Sequence, residues 1–206
     1  MDHSVEVKIC GLTNRDDAAA ALDSGADYLG FILFSESPRG ITFAELVRIL
    51  DKVDEDRRAI GVFVNESRDN VGKIAADCGL YAVQLHGDEE QRDFMDMPIP
   101  VWRSVRLCAG MWRPSPENWQ VSRYVIDADV PGLYGGTGTS ADWKSASGLA
   151  DRYPVMLAGG LTPGNVADAV RIVKPVGVDV ASGVEAEPGK KDHDKIKAFI
   201  EAVKGW

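Results

Sequence analysis

The chain has 206 residues, of which 45% are hydrophobic and 27% are charged, and its formal net charge at neutral pH is −9. This composition is ordinary for a globular protein that buries a sizeable core, and we expect one domain over residues 1–206. The acidic balance argues against nucleic acid or an anionic membrane as a partner, because both favour a basic surface.

No segment has the pattern of a membrane span or a secretory signal. The apolar stretches, such as Tyr28–Phe34, are far shorter than the roughly 20 residues that cross a bilayer. Met1–Val7 includes acidic residues and lacks an apolar core, so we expect a cytoplasmic location. The cysteines Cys10, Cys78 and Cys108 are widely separated and form no C-x-x-C pair, which argues against a zinc or disulfide framework.

Short β-type runs alternate along the chain with amphipathic helical patterns. The predicted strands are Val5–Ile9, Tyr28–Leu33, Ala59–Val64, Ala82–Leu85, Ile99–Val105, Tyr124–Asp127, Val155–Leu157 and Gly177–Val180. The predicted helices are Asp16–Ser24, Phe43–Val53, Asp69–Cys78, Glu89–Met95, Asp142–Asp151, Gly164–Val173 and Asp192–Lys204. Eight strands that alternate with helices predict an α/β fold, a single (β/α)8 TIM barrel, with an open doubly wound sheet as the alternative. The segment Met111–Val121 has little helical periodicity and stays unassigned.

A cysteine directly follows the first predicted strand. In the run V-E-V-K-I-C-G, Val7 and Ile9 alternate with Lys8 and Cys10, so the two sets face opposite sides of the strand. If the apolar set faces the surrounding helices, Lys8 and Cys10 point into the barrel, and Cys10 lies at the rim where these barrels place their active sites. Because a nearby cation favours the thiolate, Lys8 supports a functional role for Cys10. The alternative is that Cys10 only fills a small space.

Two further strands end on polar side chains. Asp127 ends the sixth strand, where a protonated carboxyl group would serve as a general acid, whereas the alternative is a surface aspartate that starts a loop. The fourth strand ends V-Q-L-H-G, which places Gln84 and His86 on one face. His86 is therefore a candidate base or, equally, a hydrogen-bonded residue of the pocket wall.

The loops add a possible anion site. Glycine-rich turns follow the last three predicted strands at Gly135–Gly138, Ala158–Asn165 and Ala181–Glu185. Glycine lets backbone N–H groups approach an anion closely, and the loops after strands seven and eight commonly bind phosphate in this fold. Arg39, on the loop after the second strand, is either a solvated arginine or a clamp for a carboxylate.

Several motifs together resemble one known family. They are K-I-C-G at Lys8–Gly11, G-F-I-L-F-S-E-S-P-R-G-I at Gly30–Ile41, G-V-F-V-N at Gly61–Asn65, Q-L-H-G at Gln84–Gly87, V-I-D-A-D around Asp127, G-G-T-G at Gly135–Gly138, L-A-G-G-L-T-P-G-N-V at Leu157–Val166 and D-V-A-S-G-V-E at Asp179–Glu185. Each is short, but they occur in order over nearly the whole chain. As a set they resemble the phosphoribosylanthranilate isomerase family of tryptophan biosynthesis.

The resemblance implies an Amadori rearrangement of N-(5-phospho-β-D-ribosyl)anthranilate to 1-(2-carboxyphenylamino)-1-deoxy-D-ribulose 5-phosphate. By the family pattern, Cys10 is the base, Asp127 is the acid and Arg39 holds the anthranilate carboxylate. The implied phosphate site is at Gly136, Gly160, Ser182 and Gly183. The further pocket residues that we expect are Lys8, Gln84 and His86.

This reaction involves no net redox change and no phosphoryl transfer, so we expect neither a cofactor nor a metal. The expected partner is a small phosphorylated substrate, and we expect a monomer or a homodimer. One position departs from the family pattern, because Ala181 stands where serine is common. Backbone donors survive that change and Ser182 still supplies a hydroxyl, so we expect little loss.

Two other functions remain open at this level. Another phosphosugar barrel, such as a pentose-phosphate epimerase or indole-glycerol-phosphate synthase, would need metal-binding histidines or a catalytic lysine and glutamate at strand ends. The chain has only His3, His86 and His193, and Lys8 alone does not supply the second set. A non-enzymatic module that binds a phosphate ligand would explain the glycine turns but not Cys10 and Asp127.

Overall fold

A computed structural model describes residues 5–51, 53, 57–127 and 142–205. Eight parallel strands form a closed barrel in this part of the chain, because each strand pairs with the next and the last pairs with the first. The barrel strands are β1 Glu6–Cys10, β2 Tyr28–Ile32, β3 Ala59–Phe63, β4 Ala82–Leu85, β5 Val101–Cys108, β6 Arg123–Asp127, β7 Val155–Leu157 and β8 Gly177–Val180. The predicted (β/α)8 barrel is therefore confirmed, and the open doubly wound alternative is wrong.

The helices pack around the outside of the barrel and connect successive strands. They are α1 Arg15–Asp23, α2 Phe43–Leu50, α3 Arg68–Cys78, α4 Gln91–Phe94, α5 Trp143–Ala150, α6 Val166–Val173 and α7 His193–Lys204. Their starts follow local capping chemistry: Asn14 accepts from the backbone N–H of Asp17, and Thr42 and Glu45 form a reciprocal capping box. None of the described helices is long and apolar enough to cross a membrane.

The fifth strand–helix unit departs from the regular pattern. Strand β5 turns back into a short antiparallel strand at Met111–Arg113, and a 3-10 turn at Pro116–Asn118 follows. This is the segment that the sequence left unassigned. Its few apolar residues do not recur at helical spacing, so a hairpin replaces the amphipathic helix that other units place against the barrel.

Strand alternation divides the buried side chains between two regions. Val7 and Ile9 of β1 belong to the large cluster between the strands and the helices. The barrel interior contains a separate apolar cluster, formed by Tyr28, Ile60, Ala82, Trp102, Val125, Met156 and Ala158. Toward the carboxyl ends of the strands, the interior changes to buried polar residues, which are Lys8, Gln84, Ser104, Asp127 and Asp179. This change places the chemistry of the protein at one end of the barrel.

Candidate active site

A cleft of about 770 Å³, including the part open to solvent, lies at the carboxyl ends of the strands. It brings together most of the residues that the sequence singled out, which are Cys10, Arg39, Gln84, His86, Asp127, Gly160, Ser182 and Gly183. Lys8 lies beneath the cleft and is fully buried. Gly136 and the rest of the G-G-T-G turn fall outside the described residues.

Cys10 stands at the end of β1, with its side chain directed into the barrel. Its register partner on β2 is Gly30, where an added Cβ would lie only 2.8 Å from the sulfur. Glycine at that position therefore makes room for the thiol. Burial raises the pKa of Cys10, and the positive charges of Lys8 and Lys191 offset this only in part. At neutral pH the group is therefore mainly a thiol rather than a thiolate.

Lys8 forms a buried ion pair with Asp179 across the β1–β8 seam. The Lys8 ammonium lies 2.8 Å from Asp179 Oδ2 and donates a second bond of 3.0 Å to Gln84 Oε1. Burial opposes the charge on Lys8, but the ion pair with Asp179 outweighs it and raises the pKa of Lys8. Lys8 is therefore a permanent cation under the floor of the cleft.

A row of polar side chains continues from Gln84 to Asp127. Gln84 Nε2 donates to Ser104 Oγ at 3.0 Å and lies 3.3 Å from His86 Nδ1. Ser104 Oγ lies 2.9 Å from the same ring nitrogen. The other ring nitrogen, His86 Nε2, is 3.4 Å from Asp127 Oδ2, within ion-pair distance but without the alignment of a good hydrogen bond. His86 and Asp127 thus face each other at the cleft wall.

Arg39 is buried at the cleft edge, with an exposed fraction of 7%. It is therefore not the solvated loop arginine that was one of the two alternatives. Its Nε and Nη2 donate to the two carboxylate oxygens of Glu185 at 2.7 Å each, which is the bidentate geometry that arginine favours. Lys191 also donates to Glu185, at 2.9 Å. Hydrogen bonding to Glu185 raises the pKa of Arg39. This buried cluster holds two cations and one anion, so it carries an excess positive charge beside the cleft.

Glu185 reaches Arg39 because the chain after β8 folds into a small hairpin. Its strands, Glu185–Glu187 and Lys190–Lys191, pair in antiparallel fashion. The Thr13 hydroxyl donates to the carbonyl of Gly189 at the hairpin turn. The loops after β1, β2 and β8 are thereby joined around the guanidinium group.

The turns after β7 and β8 pack directly on each other. Gly159 and Gly160 have φ values of +86° and +66°, a region that favours glycine. A Cβ on Gly183 would lie 1.8 Å from the carbonyl oxygen of Leu161, so a side chain there requires the backbone to move. Ser182 begins the short 3-10 turn Ser182–Val184. Backbone, rather than side chains, therefore forms this wall of the cleft.

Four contributors to the site were not identified from the sequence. Ser104 and Asp179 are inward-facing polar residues of β5 and β8, and the alternation of side chains along those strands is a signal that could have found them. Glu185 was only part of a matched motif. Lys191 lies in the second strand of a hairpin that no sequence pattern predicted. Within the described residues, no group of three or more His, Cys, Asp and Glu side chains is placed to hold a metal ion.

Comparisons with known proteins agree with this geometry. The family model for N-(5'phosphoribosyl)anthranilate (PRA) isomerase matches residues 7–202. An N-(5'-phosphoribosyl)anthranilate isomerase from Trichlorobacter lovleyi is 42% identical over 201 residues, which covers 97% of this chain and 98% of the relative. The crystal structure of phosphoribosyl anthranilate isomerase from Thermotoga maritima is 36% identical, with a TM-score of 0.84 and coverage of 98% of this chain and 100% of that one. A further solved isomerase, 35% identical with a TM-score of 0.82 and coverage of 98% and 100%, is in complex with reduced 1-(O-carboxyphenylamino)-1-deoxyribulose 5-phosphate.

Proposed function

This chain belongs to the N-(5'-phosphoribosyl)anthranilate isomerase family, and we propose that Cys10 and Asp127 carry out its reaction as general base and general acid. The chain is an isomerase of tryptophan biosynthesis that interconverts an aldose and a ketose. Its substrate is N-(5-phospho-β-D-ribosyl)anthranilate. The single observation that carries the residue assignment is that Cys10 and Asp127 end separate strands yet line the same cleft, together with Arg39 and the glycine turns.

The first step opens the ribose ring. Asp127, in its protonated form, gives its proton to the ring oxygen, and the bond between that oxygen and C1 breaks. The lone pair of the anthranilate nitrogen forms the C=N bond, so the open form is an iminium ion. Asp127 is left as a carboxylate that faces His86 Nε2. A placed acid of this kind contributes typically 10² to 10⁴ in rate.

The second step moves a proton from carbon. Cys10, as the thiolate, removes the proton from C2, and the electron pair of that bond neutralises the iminium to give an enolamine. The enolamine then tautomerises to the ketone of the product. Lys8 and Lys191 favour the thiolate that this step requires, although burial keeps the pKa of Cys10 raised. No cofactor or metal takes part in this scheme.

The two ends of the substrate need separate binding groups. Arg39 keeps guanidinium N–H groups beyond the two that bind Glu185, and the excess positive charge of its cluster suits the anthranilate carboxylate. The turns at Gly160, Ser182 and Gly183 suit the phosphate, because backbone N–H groups bind an anion without adding side-chain charge. Gly136 is proposed for the same site from the family pattern alone. Lys8, Gln84 and His86 complete the pocket.

The test follows the fluorescence of the anthranilate group during turnover by the purified chain. We expect conversion to the ketose, and a slower reaction when the substrate carries deuterium at C2, because Cys10 must break that C–H bond. Binding without conversion would favour a phosphate-binding module instead. Turnover of other pentose phosphates but not of this substrate would favour the other phosphosugar barrels. The monomer or homodimer state, the absence of nucleic acid partners and the cytoplasmic location stay predictions.

A further inference from the structure

The orientation of the Gln84 amide is determined by its neighbour Lys8. An ammonium group only donates hydrogen bonds, so the atom of Gln84 that faces Lys8 at 3.0 Å must be the carbonyl oxygen. Lys8 is fully buried and stays charged through its ion pair with Asp179. The NH₂ group of Gln84 must therefore face the other way, toward Ser104 and His86.

This orientation determines which nitrogen of His86 carries the proton. With the Gln84 amide N–H groups directed at Ser104 Oγ and His86 Nδ1, a proton on Nδ1 would face another donor at 3.3 Å. A proton on Nδ1 would also leave the buried Ser104 hydroxyl without an acceptor. Among the described residues, the acceptor for that hydroxyl is Nδ1, at 2.9 Å. Neither conflict arises when the neutral ring carries its proton on Nε2, because the lone pair of Nδ1 then accepts from the Ser104 hydroxyl and faces the more distant Gln84 amide N–H.

We propose that the interior hydrogen-bond network of Lys8, Gln84, Ser104 and His86 holds His86 as the neutral Nε2–H tautomer and makes it a positioning donor to Asp127. His86 Nε2 is buried, has no hydrogen-bond partner among the described residues and lies 3.4 Å from Asp127 Oδ2. The carboxyl group is therefore the acceptor within reach of its N–H, in a contact that tightens when the substrate is bound. Of the two alternatives that the sequence left open for His86, this inference selects the hydrogen-bonded residue of the pocket wall and makes it a donor to Asp127. It rests on the proposed role of Asp127 as the acid.

The network gives this donor a definite task in the reaction. When Asp127 passes its proton to the ring oxygen, a negative charge forms on the carboxyl group, and a hydrogen bond from the neighbouring His86 N–H would stabilise that charge. A neutral imidazole does so without competing for the proton that Asp127 must deliver. Lys8 acts at a distance here, because its buried charge fixes the Gln84 amide and thereby the tautomer of His86.

The tautomer is measured directly by ¹⁵N NMR of the histidine side chains. The chain has three histidines, and comparison with His86→Gln assigns the signal of His86. We expect the Nε2–H form in the wild type. In Gln84→Glu the new carboxylate has no N–H and accepts the Ser104 hydroxyl proton, so Nδ1 loses its donors and the Nδ1–H form should grow. In Ser104→Ala the Gln84 amide still donates to Nδ1, so the Nε2–H form should persist. An Nδ1–H tautomer in the wild type, or no shift in Gln84→Glu, would overturn the proposal.

Kinetics separate this role from a structural one and from the assignment of Asp127. His86→Gln keeps a terminal N–H donor but has no basic nitrogen, whereas His86→Leu has neither. We expect kcat of His86→Leu to be roughly tenfold to a hundredfold lower than kcat of His86→Gln, because a hydrogen bond to a charged group is lost. The KM values of the two variants should be similar. Equal losses in the two variants would contradict the donor role. If the tautomer is Nε2–H but Asp127→Asn stays fully active, the assignment of the acid fails while the network stands.

Discussion

Arg39 and Glu185 lie 146 positions apart in the chain, yet two parallel hydrogen bonds of 2.7 Å join the guanidinium to the carboxylate. The carboxylate also accepts from Lys191. Burial opposes the charge on Glu185, but Arg39 and Lys191 outweigh it and lower the pKa of Glu185. The pair holds the arginine at the cleft edge in one orientation, which suits the contact with the substrate carboxylate that we propose for it.

Arg39→Lys should raise KM more than it lowers kcat. Lysine keeps the positive charge but loses the fork that serves two carboxylates at once, so we expect an increase in KM of roughly tenfold to a hundredfold. Steady-state kinetics with the anthranilate fluorescence signal measure this. The alanine variant is less informative, because breaking a buried ion pair costs about 3–5 kcal/mol of folding free energy.

Glu185→Gln provides the companion measurement, since it leaves Arg39 in place without its carboxylate partner. We expect a higher KM here as well, and a smaller effect when Arg39→Lys is already present, because both changes disturb the same contact. Additive effects of the two substitutions on KM would show that Glu185 does not act through Arg39.

Cys10→Ala should reduce kcat by a factor of about 10² to 10⁴, because the base is removed. The fold should persist, since the thiol is a small side chain at the rim of the barrel. Cys78→Ala is the matched control: Cys78 is equally buried, at 7% exposure, but lies in α3 away from the cleft. Thermal unfolding and fluorescence turnover of both variants check the prediction. Comparable turnover in the two would remove Cys10 from the mechanism.

Asp127→Asn should lower kcat by a similar factor of about 10² to 10⁴ while KM changes little. The amide has nearly the same shape and still offers an oxygen to His86 Nε2, but it cannot deliver a proton to the ring oxygen. Circular dichroism should show an intact fold. A variant that turns over at the wild-type rate would mean that another group, or water, supplies the proton.

The thiol of Cys10 should titrate in the alkaline range. Burial raises the pKa of Cys10, so the thiolate fraction in the free enzyme keeps growing above about pH 8.5, where an ordinary thiol is half ionised. The proposed scheme needs a thiolate at Cys10 and a protonated Asp127 together, so kcat/KM depends on both groups and the thiolate is best measured directly. Thiolate absorbance of the wild type minus that of Cys10→Ala gives this titration. A difference absorbance that is already complete at neutral pH would contradict the raised pKa.

Gly183→Ala should weaken phosphate binding. The added Cβ would lie 1.8 Å from the carbonyl oxygen of Leu161, so the turns after β7 and β8 must separate. We expect a higher KM and weaker inhibition by inorganic phosphate. Gly148→Ala in α5 is the control, because a Cβ there meets nothing within 4 Å and alanine favours the helix by about 0.5–1 kcal/mol. Equal phosphate inhibition in both variants would place the phosphate elsewhere.

By itself the sequence determined the fold and the positions where chemistry would appear. Alternation in V-E-V-K-I-C-G placed Lys8 and Cys10 inside the barrel, and strand ends with glycine turns identified the cleft, because strand periodicity and turn chemistry are local properties of the chain. The family motifs added the reaction.

Only the tertiary structure decided which side chains meet. The side-chain partners of Lys8 and Arg39, which are Gln84, Asp179 and Glu185, lie 76 to 171 positions away in the chain. Glu185 and its second partner Lys191 also belong to a hairpin without a sequence pattern. Closing the barrel brings these charges out of water together, where each must find a partner of opposite charge or a hydrogen bond. That requirement, rather than any local preference, sets the orientation of Gln84, the tautomer that we infer for His86 and the direction of Arg39.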